Sequence, residues 1–294
     1  MNDVLILIGP RRVDDSTVGR VRAALAASGI GTGAPDWLAP GEACEMALAR
    51  ADGAEDVARA ALAGCMVDVA CLPRAGRAKR ILVADMDSTI VLGESLDELA
   101  AHAGVKDQVA ALTAQAMNAQ VPYDESLRRR VALLAGLPAR AMARVIEALE
   151  PTPGAATLIA TMRAHGAHTV LVTSGFREFS AAIAQRLGFD AHVSNHLEIV
   201  DGVLTGRVCE PILNREGKTA TLRRVAAERG VELADALAVG DGANDLGMIE
   251  AAGLGVAFRA KPVVTARAKA RVEHADLRAL LYLQGYRTSA FVEA

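Results

Sequence analysis

Ile81-Leu82-Val83-Ala84-Asp85-Met86-Asp87-Ser88-Thr89 is the stretch of sequence that decides the fold. Four apolar residues, two of them β-branched, predict a buried strand, and the chain becomes polar directly after them. Open α/β sheets bind their ligands at this carboxyl end of their strands. If the extended conformation continues past the strand, Asp85 and Asp87 point to the same side, because alternate residues of a strand share a face.

Two carboxylates this close repel each other unless a cation joins them or one of them keeps its proton. The pair therefore predicts a Mg²⁺ site and two different roles, a nucleophile and a proton carrier. The alternative is a strand end capped by an Asx turn at Asp87. An isolated Asp-x-Asp favours that alternative, so the hypothesis depends on the loops downstream.

Composition limits the classes of function. The chain has 294 residues and a net charge of -3, which gives no overall basic field, so we expect no nucleic-acid partner. No apolar run approaches the roughly 20 residues of a membrane helix. The first ten residues carry an acid where a signal peptide has a base. We therefore expect a cytoplasmic protein with no membrane partner.

Residues 1–73 have the pattern of a small α+β unit, followed by a polar, basic linker at 74–80. The order strand–helix–strand–strand–helix–strand resembles a ferredoxin-like fold, in particular the ACT-like domain. The unit contains no acid pair or phosphate loop, so regulation, dimerisation or a purely structural role is expected. The predicted elements are strands Val4–Ile8, Ile30–Leu38, Ala43–Ala49 and Met66–Leu72 and helices Ser16–Ala27 and Ala54–Leu62.

Residues 81–294 predict an α/β domain with a doubly wound, mostly parallel sheet. A helical insert at about 94–150 interrupts it directly after the acid pair, which favours a cap that excludes water over a decorative surface bundle. The insert's predicted helices are Ser95–Ala103, Lys106–Asn118, Tyr123–Leu134 and Ala139–Leu149. Strands and helices then alternate, with strands at His168–Val172, Ala236–Val239 and Leu254–Ala257, helices at Phe179–Leu187 and Thr219–Glu228, and a hairpin turn at Asp201–Gly206.

Two polar segments downstream suit phosphate. Thr173-Ser174-Gly175 offers hydroxyl and backbone N–H groups at a predicted strand-to-helix turn, although Ser and Gly are also ordinary turn residues. Lys218 stands in Gly-Lys-Thr, but Ile212 occupies the place of the glycine that a nucleotide-binding P-loop requires. Lys218 is therefore either a single cation that neutralises a phosphate or a surface lysine.

The loop Gly240–Asp245 has the sequence Gly-Asp-Gly-Ala-Asn-Asp after a second apolar strand. Carboxylates in a glycine-rich loop suit a hard cation with oxygen ligands, which predicts Asp241 as a direct Mg²⁺ ligand. Asn244 and Asp245 would orient water, phosphate or Lys218. An Asx-rich turn is the alternative, but it does not explain why two separate strands end in paired acids.

Together these loops predict phosphoryl transfer. Asp85 would attack phosphorus and form an aspartyl phosphate, a known type of covalent intermediate. Asp87 would protonate the leaving alkoxide and then deprotonate the water that cleaves the acyl phosphate. Mg²⁺ and Lys218 would stabilise charge on the phosphoryl oxygens.

The four motifs, Asp85–Thr89, Thr173, Lys218 and Gly240–Asp245, resemble in sequence order those of the haloacid dehalogenase-like phosphatases. Glu94 and the segment 126–131, Ser-Leu-Arg-Arg-Arg-Val, resemble more closely the branch of that family that hydrolyses O-phospho-L-serine, over about residues 81–283.

The resemblance implies a Mg²⁺-dependent phosphatase that catalyses the last step of serine biosynthesis. It implies that Mg²⁺ is held by Asp85, by Asp241 and by the backbone carbonyl of Asp87. Glu94 would bind the substrate's ammonium, and Arg130 would bind its carboxylate through a bidentate fork. The phosphate group would be held by Thr173, Ser174 and Lys218, with Asn244 nearby.

Several alternatives stay open at this point. A related enzyme that transfers the phosphoryl group to homoserine, or that hydrolyses another small phosphomonoester, would carry the same core motifs. A non-catalytic amino-acid sensor is the alternative from another class. Met117 and Tyr123 either line the cap side of the pocket or belong to the core, and the N-terminal unit would support a homodimer.

Overall fold

The computed structural model describes residues 2–117 and 121–293, with the side chains of 116 and 117 excepted. The strands are β1 (Asp3–Val13), β2 (Asp36–Ala39), β3 (Gly41–Leu48), β4 (Asp68–Pro73), β5 (Ile81–Ala84), β6 (His168–Phe176), β7 (Ala191–Asn195), β8 (Leu197–Val200), β9 (Val203–Val208), β10 (Ala236–Gly240), β11 (Leu254–Phe258) and β12 (Ala270–Val272). The helices are α1 (Asp15–Ala27), α2 (Ala54–Ala61), α3 (Ser95–His102), α4 (Lys106–Met117), α5 (Tyr123–Ala132), α6 (Ala141–Ala148), α7 (Ala155–Ala164), α8 (Arg177–Leu187), α9 (Arg215–Arg229), α10 (Leu246–Ala251), α11 (Pro262–Thr265) and α12 (Ala279–Leu283).

The main sheet has the order β12-β11-β10-β5-β6-β7, and its neighbouring strands are all parallel. Strands β5 and β10 are buried throughout, as expected for strands covered on both faces. On one face Leu82 joins the core that contains Ile159 of α7; on the other, Val83 packs in the core that contains Leu222 of α9. The predicted doubly wound α/β fold with a parallel sheet is confirmed.

Helices α3–α6 form the insert between β5 and α7, and the hairpin β8–β9 lies beside them. The amide of Gly136 donates to the carbonyl of Leu204 at 2.9 Å, and that of Ala139 donates to Gly202 at 2.8 Å. Asp201 (φ 50°) and Gly202 (φ 75°) make the two-residue turn, since paired positive φ values match the twist of a hairpin. The predicted hairpin is present, but its second strand begins earlier than expected, at Val203.

The N-terminal sheet is antiparallel with the order β2-β3-β1-β4, which is separate from the main sheet. Leu5 and Leu7 of β1 point into a core shared with α1 and α2. The small α+β unit is therefore confirmed. Its identity as an ACT-like domain and the division into 1–73, 74–80 and 81–294 stay predictions.

Three expected elements differ from the structure. The strand predicted over Ile30–Leu38 is confined to β2, because Gly31, Gly33 and Pro35 precede it and a proline cannot donate to a ladder. Residues 173–175 lie within β6 rather than in a turn, although the pairing with β7 is irregular there. Helix α9 begins at Arg215, where the side chain of Asn214 caps it by accepting the amide of Gly217 at 3.2 Å.

Within the described part of the chain, no helix combines the length and apolarity that crossing a bilayer needs.

Candidate active site

The acid pair lies where β5 ends. The amide of Asp85 donates to the carbonyl of Val239 at 3.0 Å, so the pairing of β5 with β10 continues one residue beyond the strand. The Asp85 side chain is buried, and its Oδ1 accepts the amide of Met86 at 2.8 Å. Asp85 is therefore held in place at the centre of the sheet, between β10 and β6.

Asp87 is held between the cap and the sheet. Its Oδ1 accepts the amide of Ser95, the first residue of α3, at 2.8 Å, and its Oδ2 accepts the hydroxyl of Thr173 at 3.1 Å. Burial raises the pKa of Asp87, and the hydrogen bonds from Ser95 and Thr173 oppose that rise only in part. A carboxyl group with a raised pKa in a defined orientation suits a proton carrier.

Lys218 lies in the first turn of α9 and is completely buried, so it is not a surface lysine. Its Nζ lies 2.6 Å from Asp85 Oδ1 and 2.7 Å from Asp245 Oδ1. Burial alone would lower the pKa of Lys218, but the charges of Asp245 and Asp85 outweigh it and raise the pKa above its ordinary value. Lys218 is therefore a fixed cation between two loops of the sheet.

The Gly240–Asp245 loop brings two further acids to the same place. Asp245 is fully buried, and its second oxygen, Oδ2, accepts the amide of Gly242 at 3.0 Å. A Cβ on Gly240 would lie 2.4 Å from the Asp245 carboxylate, so this close approach requires glycine. Burial and then the charge of Asp245 raise the pKa of Asp241 to about 6.

Asp85, Asp241 and Asp245 each offer an oxygen within 4.8 Å of the others. Burial, followed by the charge of Asp245, raises the pKa of Asp85 well above its ordinary value. Three acids facing one lysine leave an excess of negative charge, which a divalent cation with oxygen ligands would neutralise. Both oxygens of Asp245 already have protein partners, whereas Asp241 has none from a lysine or arginine among the ion pairs of the described residues. The donor set therefore fits a hard metal ion.

Glu94 stands directly before α3 and accepts the hydroxyl of Ser88 at 2.7 Å. Its desolvating surroundings and then the charge of Asp87 raise the pKa of Glu94 to about 7, although the side chain still reaches solvent. An incoming cation can therefore reach this carboxyl group at the border of the cap.

Arg130 projects from α5. Its Nε lies 3.3 Å from the carbonyl of Ser126, its Nη1 lies 3.5 Å from the Thr113 hydroxyl, and its guanidinium carbon lies 5.9 Å from the centre of the Tyr123 ring. In residues 2–117 and 121–293 no carboxylate pairs with it, so its fork remains able to bind an anion. Burial raises the pKa of the Tyr123 phenol, and the nearby Ser174 hydroxyl opposes that rise only in part. The Met117 side chain lies outside the described residues.

The residues predicted to bind phosphate differ in whether their polar atoms already have partners in the protein. Thr173 donates to Asp87 while its Oγ1 accepts the amide of Gly175 at 2.8 Å. The hydroxyl of Ser174 is buried without a hydrogen-bond partner among the described atoms. Asn244 is half-buried beside Gly242, where a Cβ would lie 2.3 Å from its Oδ1. Sequence reasoning missed Ser95, whose only signal is its place at the start of a predicted helix.

Known proteins resemble this chain in sequence and in fold. The model of the haloacid dehalogenase-like hydrolases matches residues 82–250. A phosphoserine phosphatase of Mycobacterium tuberculosis is 50% identical over 211 residues, 72% of this chain and 52% of that protein. A phosphoserine phosphatase of Streptococcus thermophilus is 41% identical over 199 residues, 68% of this chain and 93% of that protein.

A crystal structure of a probable phosphoserine phosphatase from Vibrio cholerae superposes with a TM-score of 0.81 at 29% identity, over 98% of this chain and 88% of that one. Its coverage includes the N-terminal sheet as well as the main one. The chain spans about half the length of the first curated relatives that it matches. With more than half of its length matched by the family model, the chain belongs to the haloacid dehalogenase-like hydrolase family.

Proposed function

We propose that the protein hydrolyses O-phospho-L-serine to L-serine and phosphate, with Mg²⁺ as its cofactor. The observation that carries this proposal is the buried contact of Lys218 with Asp85 and Asp245, with Asp241 beside them. The phosphoserine phosphatases among the relatives support the choice of substrate.

Asp85 would be the nucleophile. Its Oδ1 is held by Lys218 and by the amide of Met86, which leaves Oδ2 to attack phosphorus. The bond from phosphorus to the serine oxygen then breaks, and Asp87 gives its proton to the departing alkoxide. Asp87 next takes a proton from water, whose oxygen attacks the aspartyl phosphate and releases Asp85 and phosphate.

Asp85, Asp241 and the backbone carbonyl of Asp87 would hold Mg²⁺. When bound, this ion would supply charge that stabilises the phosphoryl oxygens. Asp245 would support the site rather than ligate the ion, since its oxygens bind Lys218 and the amide of Gly242.

Glu94 would bind the substrate's ammonium and Arg130 its carboxylate, so the cap would select an amino-acid substrate. Lys218, Ser174 and Asn244 would hold the phosphate. Thr173 would stand between the phosphate and the proton carrier, because its hydroxyl donates to Asp87. The buried and unpartnered hydroxyl of Ser174 supports a role in binding an added oxygen.

The test is release of phosphate from O-phospho-L-serine, with Mg²⁺ or with a chelator, by wild type and Asp85→Asn. We expect activity only with Mg²⁺, and a loss of at least about 10³-fold in the variant, because removal of a nucleophile has effects of that size or larger. Silence of wild type towards every phosphomonoester would favour the non-catalytic sensor.

A substrate panel tests the specificity. Phosphoserine is expected to be preferred over phosphohomoserine and sugar phosphates, and Glu94→Gln and Arg130→Lys are expected to reduce that preference. Arg130→Lys keeps the charge but loses the bidentate fork, so it isolates the geometry of carboxylate binding. Equal turnover of phosphoserine and sugar phosphates by wild type would refute the substrate assignment.

The remaining proposals concern organisation. We propose an ACT-like domain at 1–73, a linker at 74–80 and a catalytic domain at 81–294 with its cap at about 94–150. The N-terminal unit would support a homodimer, which light scattering would test, and the composition predicts a cytoplasmic location.

A further inference from the structure

The N-terminal sheet is packed against the catalytic part of the chain. Leu5 and Leu7 of β1 face α1 and α2, whereas Ile6 and Ile8 point the other way into the core that contains Leu281 of α12. Both faces of this sheet are thus covered within one chain. A displacement of the N-terminal sheet would therefore displace the C-terminal segment that contains α12.

Asp68, at the start of β4, makes the most specific contact across this boundary. Asp68 is 3% exposed, and its carboxylate accepts the amides of Glu273 at 2.8 Å, His274 at 3.2 Å and Ala275 at 2.9 Å. Consecutive amides that converge on one anion form a nest, and hydrogen bonds to an ionised acceptor are about twice as strong as neutral ones. Asp68 thereby fixes the backbone that follows β12.

That backbone leads directly to the segment that follows the cap. Two residues after the nest, the amide of Leu277 donates to the carbonyl of Pro153 at 3.0 Å. A Cβ on Gly154 would lie 2.8 Å from both the amide of Arg278 and Asp276 Oδ1, so the two segments are in tight contact. The position of residues 276–278 therefore sets the position of Pro153 and Gly154.

Pro153 adjoins the two segments that join the insert to the sheet, residues 90–92 on the way in and 150–152 on the way out, which we name the cap hinge. The amide of Leu92 donates to the carbonyl of Glu150 at 2.8 Å, and the amide of Thr152 donates to Ile90 at 2.9 Å. Glu94 follows the hinge by two residues. A small displacement of the hinge would therefore move Glu94 relative to Asp87.

We propose that Asp68 is a positioning residue that allows the N-terminal sheet to set the angle of the cap hinge, and with it the placement of Glu94 over the site. The contacts run from Asp68 through residues 273–278 to Pro153 and the hinge. The kinetic consequence rests on the proposed function, but the structural consequence does not. Any ligand or partner of the N-terminal sheet that shifts β4 would use the same route.

The experiment compares Asp68→Asn with Asp36→Asn in the full chain. Asp36 is a matched control, because it too is an acid of the N-terminal unit bound to the C-terminal segment, through an exposed pair with Arg287 at 2.7 Å. Hydrogen exchange of the Leu92 and Thr152 amides is measured without substrate, and kcat and KM are measured separately with phosphoserine. If Asp68→Asn does not fold, Asp68→Glu keeps the charge and moves it by one methylene.

We expect Asp68→Asn to speed exchange of both hinge amides and to raise KM by roughly 2- to 30-fold, the range of mutations that alter coupling between sites. The kcat should change less, because Asp85 and Lys218 are not displaced. Asp36→Asn should leave hinge exchange unchanged. Equal effects of the two variants, or unchanged hinge exchange in Asp68→Asn, would overturn the proposal. Faster hinge exchange in a protein that proves inactive on phosphoserine would support the hinge while refuting the proposed function.

Discussion

Lys218 Nζ lies 2.6 Å from Asp85 Oδ1, and neither side chain is more than 6% exposed. The two residues are 133 positions apart in sequence, so only the tertiary fold brings them together. A buried ion pair of this kind contributes little net stability, but removal of one partner leaves a buried charge without compensation. Lys218 also faces Asp245, so its loss would leave two acids unpaired.

Lys218→Ala is therefore expected to reduce the free energy of unfolding of the metal-free protein by about 3–5 kcal/mol, the usual cost of removing one partner of a buried pair. The loss should be smaller at low pH, where Asp85, whose pKa is raised, is protonated. Urea unfolding in a chelator at two pH values measures both effects. The control is Lys106→Ala, which breaks an exposed pair with Glu98 at 3.8 Å and should change the free energy of unfolding by less than about 1 kcal/mol. Equal losses for the two variants would contradict the prediction.

Glu94 gives a pH dependence whose sign follows from its pKa of about 7 in the folded protein. Because this pKa is raised, the folded state holds the proton more tightly than the unfolded state. Its contribution to stability is complete below the ordinary pKa of 4.5 and is lost as the pH rises through about 7. In the metal-free protein, Glu94→Gln is expected to remove this part of the fall in stability with rising pH. Saturating Mg²⁺ should oppose the decline, because a cation favours the ionised carboxylates. If the free energy of unfolding of wild type and of Glu94→Gln changed equally with pH in the presence of a chelator, the role of Glu94 would be refuted.

Variants of Asp241 and Asp245 distinguish a residue that binds the metal from a residue that holds Lys218. Asp241→Asn is expected to raise the Mg²⁺ concentration needed for half-maximal activity by about 10-fold or more, since it replaces a direct carboxylate ligand. Asp245→Asn removes a partner of Lys218, so its main effect should be on kcat and on stability. Mg²⁺ titrations of activity for both variants measure the difference. A larger shift in Mg²⁺ requirement for Asp245→Asn than for Asp241→Asn would reverse the assignment.

The sequence allowed prediction of the elements whose signals are local. The acid pair after β5, the helices of the cap and the order of the N-terminal strands follow from apolar periodicity and from turn residues close by. The contact of Asp68 with residues 273–275 joins positions more than 200 residues apart, and nothing near Asp68 indicates it. The short β12 was missed because three residues are too few to show a period. The run Thr173-Ser174-Gly175 looked like a turn, but it lies within β6, where the register with β7 is interrupted between Val172 and Phe176.

Gly240→Ala tests the close approach of the metal loop. The added Cβ would lie 2.4 Å from the Asp245 carboxylate, which is too close for any side chain. We expect a loss of about 1–3 kcal/mol in the free energy of unfolding, typical of overpacking, and a marked fall in kcat because Asp245 must move away from Lys218. Gly19→Ala is the control, since its Cβ meets no atom within 4 Å and it lies inside α1. The free energy of unfolding of that variant should increase by roughly 0.5–1 kcal/mol. A Gly240→Ala protein with normal kcat would show that the Asp245 position is not critical.

The predicted linker contains an arginine whose side chain is largely shielded from solvent. Arg77 Nη1 lies 2.8 Å from Glu45 Oε2 of β3, at 10% and 8% exposure. The two atoms are in ionic contact but are not aligned as a hydrogen bond, so the pair depends on mutual charge. Arg77→Met is expected to reduce the free energy of unfolding by about 3–5 kcal/mol, because it leaves Glu45 buried and unpaired.

Adding Glu45→Gln to Arg77→Met should restore much of that loss, because the second change removes the stranded charge and the two effects are therefore not additive. Arg207→Ala is the control, since Arg207 pairs with Glu198 while 72% exposed and should contribute no more than about 1 kcal/mol. Urea unfolding of wild type, Arg77→Met, Glu45→Gln and the double variant measures the coupling. Additive losses in the double variant would mean that the pair does not hold the linker to the N-terminal sheet. A single cooperative transition in wild type that splits into two in Arg77→Met would instead show that this pair helps the N-terminal sheet and the catalytic part unfold together.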